Sequence, residues 1–291
     1  MKEFIEYNYD LKCDDLSIIC DLLYFKCLDK YYIISPFNRD VVEFEKILQF
    51  LISNNLEFFK IVMNRNGSFF SEFNGEKYVL MESNCENKII DAPLMIGGLV
   101  NKNNNWNEIW ENRVNQLTKQ KNELSLNKDV FYILNYYIGL IEICIYNYNL
   151  INTKYGVRNS LTIQHNRVSF PIYSFSYFNS VNYLFDFDFR DLAEYVKMKF
   201  FNSDLSINDA IDIINSFKFD NFSINMFFVR LIYPSYFLEV YDAQSRDSIY
   251  LDTFNNLVKK SSQYENFILN LVNLLFNKYE IIIKIPFISQ H

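Results

Sequence analysis

Two acidic residues in the second half of the chain are the clearest candidates for metal chemistry. Asp186 and Asp188 alternate with Phe185, Phe187 and Phe189. On a β-strand, this alternation places both carboxylates on one face and the aromatic rings on the other. Such a pair could hold Mg²⁺, which prefers oxygen ligands, or act as an acid and a base. The structural alternative is a solvated strand edge, where exposed carboxylates are common.

His165 is the one internal histidine, and the only other histidine is the terminal His291. Histidine changes charge near neutral pH, so His165 is the obvious candidate for a general base. No cysteine or serine stands at the spacing of a catalytic triad. The pattern therefore favours a structural histidine. Two histidines are also too few for a His-rich metal centre.

The composition excludes several classes of protein. None of the six glycines forms a dinucleotide-binding or P-loop motif. A net charge of −7, from 28 Lys and Arg against 35 Asp and Glu, argues against a nucleic-acid binder. Half of the residues are apolar, which is ample for a packed core.

Cysteine usage and hydropathy predict an intracellular chain without a membrane span. An odd number of cysteines fits reduced thiols better than disulfides, and the five are Cys13, Cys20, Cys27, Cys85 and Cys144. The start of the chain is charged and lacks the apolar region of a signal peptide. The most apolar window, residues 136–146, contains Glu142 and is shorter than the roughly 20 residues that span a bilayer.

The first part of the chain predicts a small antiparallel sheet with one helix. The strand-like runs, rich in β-branched and aromatic residues, are 31–34, 58–63, 68–73 and 77–81. Asn66-Gly67 and Asn74-Gly75 are strong hairpin signals because such pairs tolerate positive φ. Apolar residues recur at helical spacing over residues 41–52. We therefore expect a β-rich lobe over residues 1–83.

The rest of the chain has a mainly helical pattern. After a polar hinge at residues 84–92, we expect a helical lobe over residues 93–291. The predicted helices are residues 106–121, 129–150, 190–201, 206–217, 223–241 with a kink at Pro234, and 262–277. Ser206 and Asp209 form a capping box at the start of the fourth helix. Residues 161–190 interrupt the helical pattern of this lobe, and most of this region is irregular and rich in aromatic residues.

A β-rich lobe, a short hinge and a larger helical lobe predict an α+β chain with a bilobal protein-kinase-like fold. Five segments add to this layout, and they are residues 31–36 (YYIISP), 74–81 (NGEKYVLM), 136–142 (YYIGLIE), 190–195 (RDLAEY) and 230–234 (RLIYP). In this order they resemble the spore-coat-associated YutH/CotS proteins, a branch of the aminoglycoside-phosphotransferase and choline-kinase superfamily. The resemblance implies a link to sporulation, with cytoplasmic synthesis in the mother cell and a place in the spore coat.

The resemblance also implies where catalytic groups would lie, and the main ones are replaced. Phosphoryl transfer needs a catalytic Asp, and an Asn and an Asp that hold Mg²⁺. The relatives' catalytic segment resembles H-G-D-x-x-x-x-N, which here reads His165-Asn166-Arg167. Arg167 stands at the catalytic Asp, Ile172 at the metal-binding Asn, and Asn182 near the metal-binding Asp. His165 would be a residue that orders the loop.

Two further parts of a nucleotide site are absent from the sequence, and a third would depend on backbone atoms alone. The strand at residues 31–35 has no internal Lys to reach phosphates, and no glycine-rich loop covers a nucleotide. Glu82 and Ser83 lie at the hinge, where adenine would hydrogen-bond to backbone atoms. Asp191 is implied to be a helix N-terminal carboxylate that also braces the catalytic loop.

These observations lead to one hypothesis and two alternatives. We expect a catalytically inactive pseudokinase of the spore coat, without a cofactor, which acts as a scaffold or assembly component by binding other coat proteins. The enzymatic alternative is an atypical small-molecule kinase that uses ATP and holds Mg²⁺ with Asp186 or Asp188. The third hypothesis is a sensor that binds ATP without turnover. The sequence names neither the partner nor the oligomeric state.

Overall fold

A computed structural model of the chain describes residues 1–19, 22–90, 99–123, 128–168, 170–203, 205–244 and 251–285. Cys20, His291 and the end of the predicted hinge, residues 91 and 92, lie outside the described residues. Contacts divide the chain into two compact units. The first holds Met1–Val100 and Thr162–Asp188, and the second holds Asn101–Leu161 and Phe189–His291. The predicted lobe boundaries were drawn on sequence order alone and stay a prediction.

The first unit is built on an antiparallel sheet, as predicted. Its strands are β1 (Ser17–Ile19), β2 (Leu22–Cys27), β3 (Lys30–Pro36), β4 (Lys60–Val62), β5 (Phe70–Phe73) and β6 (Glu76–Ser83). The order is β1-β2-β3-β6-β4, and β5 also pairs with β6. Two helices accompany the sheet, α1 (Lys2–Tyr9) and α2 (Val41–Ser53).

Local sequence signals account for several of these elements. Asn74 and Gly75 have φ of 54° and 79°, as the tight turn between β5 and β6 requires, so this predicted hairpin is confirmed. The predicted helix over residues 41–52 is α2. Its first turn is capped by Asp40, whose carboxylate accepts a hydrogen bond from the Glu43 N–H at 2.8 Å.

Both faces of the sheet are buried. One face, which we call the Ile33 face, packs Ile33, Val79 and Met81 against Phe44 of α2 and against Phe175. The other, the Ile34 face, packs Ile34 and Leu80 against Phe4 and Ile5 of α1. Alternate residues of one strand point to opposite faces, which is why neighbours such as Ile33 and Ile34 enter different clusters.

Helix α1 was not predicted, and it is the element that covers the Ile34 face. Its buried residues are Phe4, Ile5 and Tyr9. Their spacing is helical, but the charged residues around them, Lys2, Glu3 and Glu6, mask the pattern in so short a segment. Asp10 ends the helix in the left-handed conformation, with φ of 57°.

Short elements lie before and within the irregular stretch. Before it come β7 (Ile89–Ile90), in the first unit, and β8 (Val100–Asn101), and β9 (Ser160–His165) leads into it. β8 and β9 each extend across a unit boundary. After β9 come β10 (Ile172–Tyr173), the single-turn helix α5 (Ser174–Tyr177), a 3₁₀ turn (Ser180–Asn182) and β11 (Tyr183–Asp186). β11 runs antiparallel to β9, and His165 faces Tyr183 in this register.

The second unit is helical. Its helices are α3 (Trp106–Glu123), α4 (Lys128–Tyr155), α6 (Arg190–Asn202), α7 (Ile207–Asn215), α8 (Asn221–Ile232), α9 (Ser235–Gln244) and α10 (Leu251–Leu275). α4 packs against α3 and α8, while α6 also packs against α8. Every residue of α8 after Asn221 is buried, so α8 is the central helix of this unit.

Two predicted helices differ from the structure. The expected kinked helix over residues 223–241 is wrong, because Pro234 separates α8 from α9. Proline has no N–H to donate and its ring clashes with the preceding turn, so a break replaces the kink. The last helix begins at Leu251 and not at residue 262. The capping box is confirmed, since the Ser206 hydroxyl accepts from the Asp209 N–H at 3.1 Å.

Within the described part of the chain, Val130–Tyr155 is the one helix long and apolar enough to cross a membrane by length and composition. Buried core helices pass the same test, and α4 packs on two neighbouring helices. The expectation of no membrane span stays a prediction.

Candidate functional site

His165 links the end of β9 to the end of α5 within the irregular stretch. Its ring is buried, and Nε2 lies 2.9 Å from the carbonyl oxygen of Tyr177. A carbonyl can only accept, so we assign the proton to Nε2. The Tyr183 hydroxyl donates to the same carbonyl at 2.8 Å. This geometry is that of a histidine that orders a loop.

Asn182 and Arg167 are joined by a double hydrogen bond. The Arg167 N–H donates to Oδ1 of Asn182 at 3.1 Å, and Nδ2 of Asn182 donates to the Arg167 carbonyl at 2.8 Å. The Asn166 N–H also donates to the Asn182 carbonyl at 2.6 Å. These bonds continue the pairing of β9 and β11 into the loop. The Asn182 side chain, which lies near the predicted metal position, is therefore hydrogen-bonded to the backbone of the loop.

Ile172 has a packing role. It is buried in β10, and its backbone pairs with Ile90 of β7. Its side chain has no ligand atom, so the residue predicted to stand at the metal-binding Asn contributes only apolar surface here.

The expected strand with two carboxylates on one face is wrong, because β11 ends at Asp186. Asp186 is 4% exposed, and its Oδ1 accepts a hydrogen bond from the Phe187 N–H at 2.8 Å. Asp188 is half-buried in the turn that follows. Within the described ranges, no three or more His, Cys, Asp or Glu side chains form a group that could hold a metal ion.

Asp191 lies in the first turn of α6, as the sequence predicts. The N-cap is Phe189, which makes no side-chain cap, so a carboxylate one position inside the helix supplies the negative charge that a helix N-terminus favours. Bracing of the catalytic loop by Asp191 stays a prediction.

At the hinge, Glu82 is an ion-pair centre. Its carboxylate lies 3.0 Å from the Lys30 ammonium and 3.3 Å from that of Lys60. Burial raises the pKa of Glu82, but the hydrogen bonds from these two lysines outweigh that effect, so the pKa is lowered. Ser83 is buried, and its hydroxyl accepts from the Cys85 N–H and donates to the Cys85 carbonyl. Both side chains are engaged within the fold.

A cavity of about 630 Å³ adjoins this hinge. The segment before β4 contributes Phe58 and Phe59 to its wall, and α5 contributes Ser174. Phe58, Phe59 and Ser174 were not predicted as site residues, although Ser174 lies within the predicted degenerate catalytic-loop region, residues 161–190. Their association depends on contacts between distant parts of the chain, which local spacing does not encode.

Phe175 of α5 is also missing from the predicted site. Its ring is 1% exposed and lies on the Ile33 face, with its centroid 5.6 Å from Tyr24, 6.0 Å from Tyr31 and 5.8 Å from Phe59. Val181 from the same irregular stretch joins this cluster. The aromatic run at residues 173–178 is the one sequence signal that could have indicated such packing.

A family model described as "Spore coat putative kinase YutH" matches residues 98–271. The chain belongs to this YutH family. Comparison with curated protein sequences gives no match. Two solved structures are similar. An aminoglycoside phosphotransferase from Alicyclobacillus acidocaldarius has 9% identity and a TM-score of 0.55, over 95% of this chain and 96% of that one. A spectinomycin phosphotransferase, solved with ADP and spectinomycin, has 12% identity and a TM-score of 0.54, over 89% of this chain and 93% of that one.

These likenesses show the fold, so the predicted α+β phosphotransferase-like, protein-kinase-like architecture is confirmed. In this YutH-family chain the Asn182 amide bonds to the backbone of Arg167, and the His165 ring bonds to the Tyr177 carbonyl. The structure places Glu82 and Ser83 beside a cavity, and it places Ile172 and Asp186 in buried positions.

Proposed function

We propose that this YutH-family chain is a catalytically inactive component of the spore coat that works as a scaffold, through contacts with other coat proteins. The observation that carries the proposal is Phe175. A nucleotide that bonded to the hinge backbone would lay its base against the Ile33 face, beside Met81. In this chain Phe175 packs in the cluster that contains Ile33 and Met81.

The replaced catalytic positions support the same proposal. An arginine stays protonated at neutral pH and cannot take the proton of an attacking hydroxyl, so Arg167 does not substitute for an aspartate. Ile172 offers no ligand, and the amide of Asn182 is bonded to Arg167 and brings no negative charge to hold Mg²⁺. Phosphoryl transfer needs a group that accepts the proton of the attacking hydroxyl and carboxylates that hold Mg²⁺, and these three residues supply neither.

Thermal unfolding with and without ATP, each with and without Mg²⁺, tests the proposal. Ligand at 100 times its dissociation constant adds about 2.7 kcal/mol to the free energy of unfolding, which gives an easily measured shift. We expect no shift for this chain. The spectinomycin phosphotransferase solved with ADP is the positive control. An ATP-dependent shift in this chain would contradict the proposal.

Two other functions predict different outcomes of that measurement. A small-molecule kinase that holds Mg²⁺ with Asp186 or Asp188 predicts a Mg²⁺-dependent shift that Asp186→Ala abolishes. A nucleotide sensor predicts a shift that is independent of Mg²⁺. The cavity of about 630 Å³ at the hinge is the observation that favours the sensor, because its size falls in the range of small-molecule sites.

The proposal also specifies where the protein acts. It is made in the cytoplasm of the mother cell and joins the spore coat, where it binds coat proteins and no nucleic acid. Immunolabelling of sections during sporulation, followed by extraction of purified coats, is the test. Signal that stays in the mother-cell cytoplasm and is absent from extracted coats would contradict this location.

A further inference from the structure

Helix α4 has two apolar faces on opposite sides. One faces the core of the second unit and includes the buried residues Leu134, Ile141, Cys144 and Tyr148. The other, which we call the 132–150 stripe, consists of Tyr132, Tyr136, Gly139, Ile143, Tyr146 and Leu150. Its spacing alternates between four and three residues, the spacing of a seam along which two helices pack. Tyr132 and Tyr146 remain 68% and 48% exposed.

Gly139 lies in the middle of the 132–150 stripe and has no close neighbour among the described residues. A Cβ added there would meet no atom within 4 Å, and its φ is not positive. Glycine in a helix interior is destabilising relative to alanine, and neither packing nor backbone geometry in the described part of the chain calls for it. A missing side chain does allow another backbone to approach closely.

The same place forms an apolar hollow with opposite charges at its border. A cavity of about 470 Å³ is lined by Gly139, Glu142, Ile143, Tyr146, Lys284 and Ile285. Glu142 and Lys284 are both exposed, and the Lys284 ammonium lies 5.3 Å from the centroid of the Tyr146 ring. One small area of the surface therefore combines the acidic Glu142, the basic Lys284 and apolar residues between them.

We propose that the 132–150 stripe is a self-association surface that joins two copies of this chain about a two-fold axis. In such an interface each copy presents the same patch, so an acid on one copy meets a base on the other. Glu142 then pairs with Lys284 of the second copy, while the two helices approach each other at Gly139. A lipid bilayer fits the surface less well, because Glu142 lies close to the middle of the stripe and a carboxylate is costly in hydrocarbon.

Sedimentation equilibrium over a concentration series tests the proposal with the full chain. We expect a species of twice the 35.0 kDa mass of one chain. Glu142→Lys and Lys284→Glu should each raise the dissociation constant about tenfold, since like charges then meet across the axis. The double reversal restores the pairing and should return the constant to near the wild-type value. Glu45→Lys, the same reversal on the exposed side of α2, is the matched control and should change nothing.

Gly139→Leu provides an independent variant that keeps the fold. Because nothing lies near the added side chain, its thermal stability should equal or exceed that of the wild type while the dimer weakens at least tenfold. A wild type that stays monomeric, or a double reversal no better than the single ones, would overturn the proposal. So would a monomer that co-floats with phosphatidylcholine vesicles, because the stripe would then bind lipid.

Discussion

The side-chain amide of Asn182 is hydrogen-bonded at both ends to the backbone of Arg167. The amide oxygen accepts from the Arg167 N–H, and the amide nitrogen donates to the Arg167 carbonyl. The sequence resemblance predicts a catalytic Asp at the position of Arg167 and a metal-binding Asp near that of Asn182. In this chain the pair closes the loop after His165 without any carboxylate.

Replacement of Asn182 by Asp tests whether this contact is structural. The carboxylate retains an acceptor for the Arg167 N–H but loses the donor to the Arg167 carbonyl. We expect a loss of about 1–2 kcal/mol in the free energy of unfolding, measured by urea denaturation. The control is Asn202→Ala, at an exposed helix end where the amide donates to Met198. We also expect Mg²⁺ to leave the melting temperature of Asn182→Asp unchanged. A Mg²⁺-dependent rise would indicate a metal site instead.

Phe175 is the second residue to test, because it occupies the Ile33 face. Phe175→Ala should cost about 3–5 kcal/mol, since it removes a fully buried ring. Phe276→Ala, at a ring that is 60% exposed, should cost far less. Should Phe175→Ala fail to fold, Phe175→Leu provides a milder loss of volume. Adenosine should stabilise the folded Phe175 variant and leave the wild type unchanged. Equal stabilisation of both proteins would show that Phe175 does not exclude the base.

Local signals in the sequence predicted the elements whose conformation neighbouring residues determine. The β5–β6 hairpin follows from Asn74-Gly75, α7 follows from the capping box at Ser206, and the first turn of α6 contains Asp191. In each case the deciding interaction spans only a few residues, so it can be recognised without knowledge of the fold.

The errors have a different physical origin. Alternation at residues 185–189 is typical of a strand, but Asp186 bonds to the next N–H and the strand ends there. The position of Phe175 depends on Tyr24 and Tyr31, about 150 residues earlier in the chain. Contacts between distant segments leave no local period, so the filling of the Ile33 face could not be predicted.

Helix α1 offers a test of the unpredicted cover on the Ile34 face. Ile5 is fully buried, whereas Tyr7 on the same helix is 74% exposed. We expect Ile5→Ala to cost about 2–5 kcal/mol in chemical denaturation and Tyr7→Ala to cost little. Hydrogen exchange of β3 should accelerate only in Ile5→Ala. Equal effects of the two variants would mean that α1 does not pack on the sheet.

Glu194 is a buried residue for which we expect a pH-dependent contribution to stability in the acidic range. It is buried with Lys197 and Arg230, and its carboxylate accepts from Nε of Arg230 at 2.6 Å and from Nζ of Lys197 at 3.0 Å. Burial alone would raise the pKa of Glu194, but the charges of Arg230, Lys197 and Arg190, with a hydrogen bond from Ser235, lower it to about 2. The pKa of Glu194 is 4.5 in the unfolded chain and about 2 in the fold, so between these pH values only the unfolded chain binds this proton. Stability therefore falls as the pH falls through that window.

Glu194→Gln tests this network at two pH values. At neutral pH the variant leaves two buried cations without their counter-charge and should lose about 3–5 kcal/mol. Ser235→Ala, which removes one hydrogen bond to Glu194, should lose about 1 kcal/mol and is the fallback if Glu194→Gln does not fold. When the pH is lowered from 4.5 to 2, the free energy of unfolding of the wild type should fall by up to about 3 kcal/mol more than that of Glu194→Gln. Urea denaturation at each pH measures the difference. Parallel curves for the two proteins would show that Glu194 keeps an ordinary pKa in the fold.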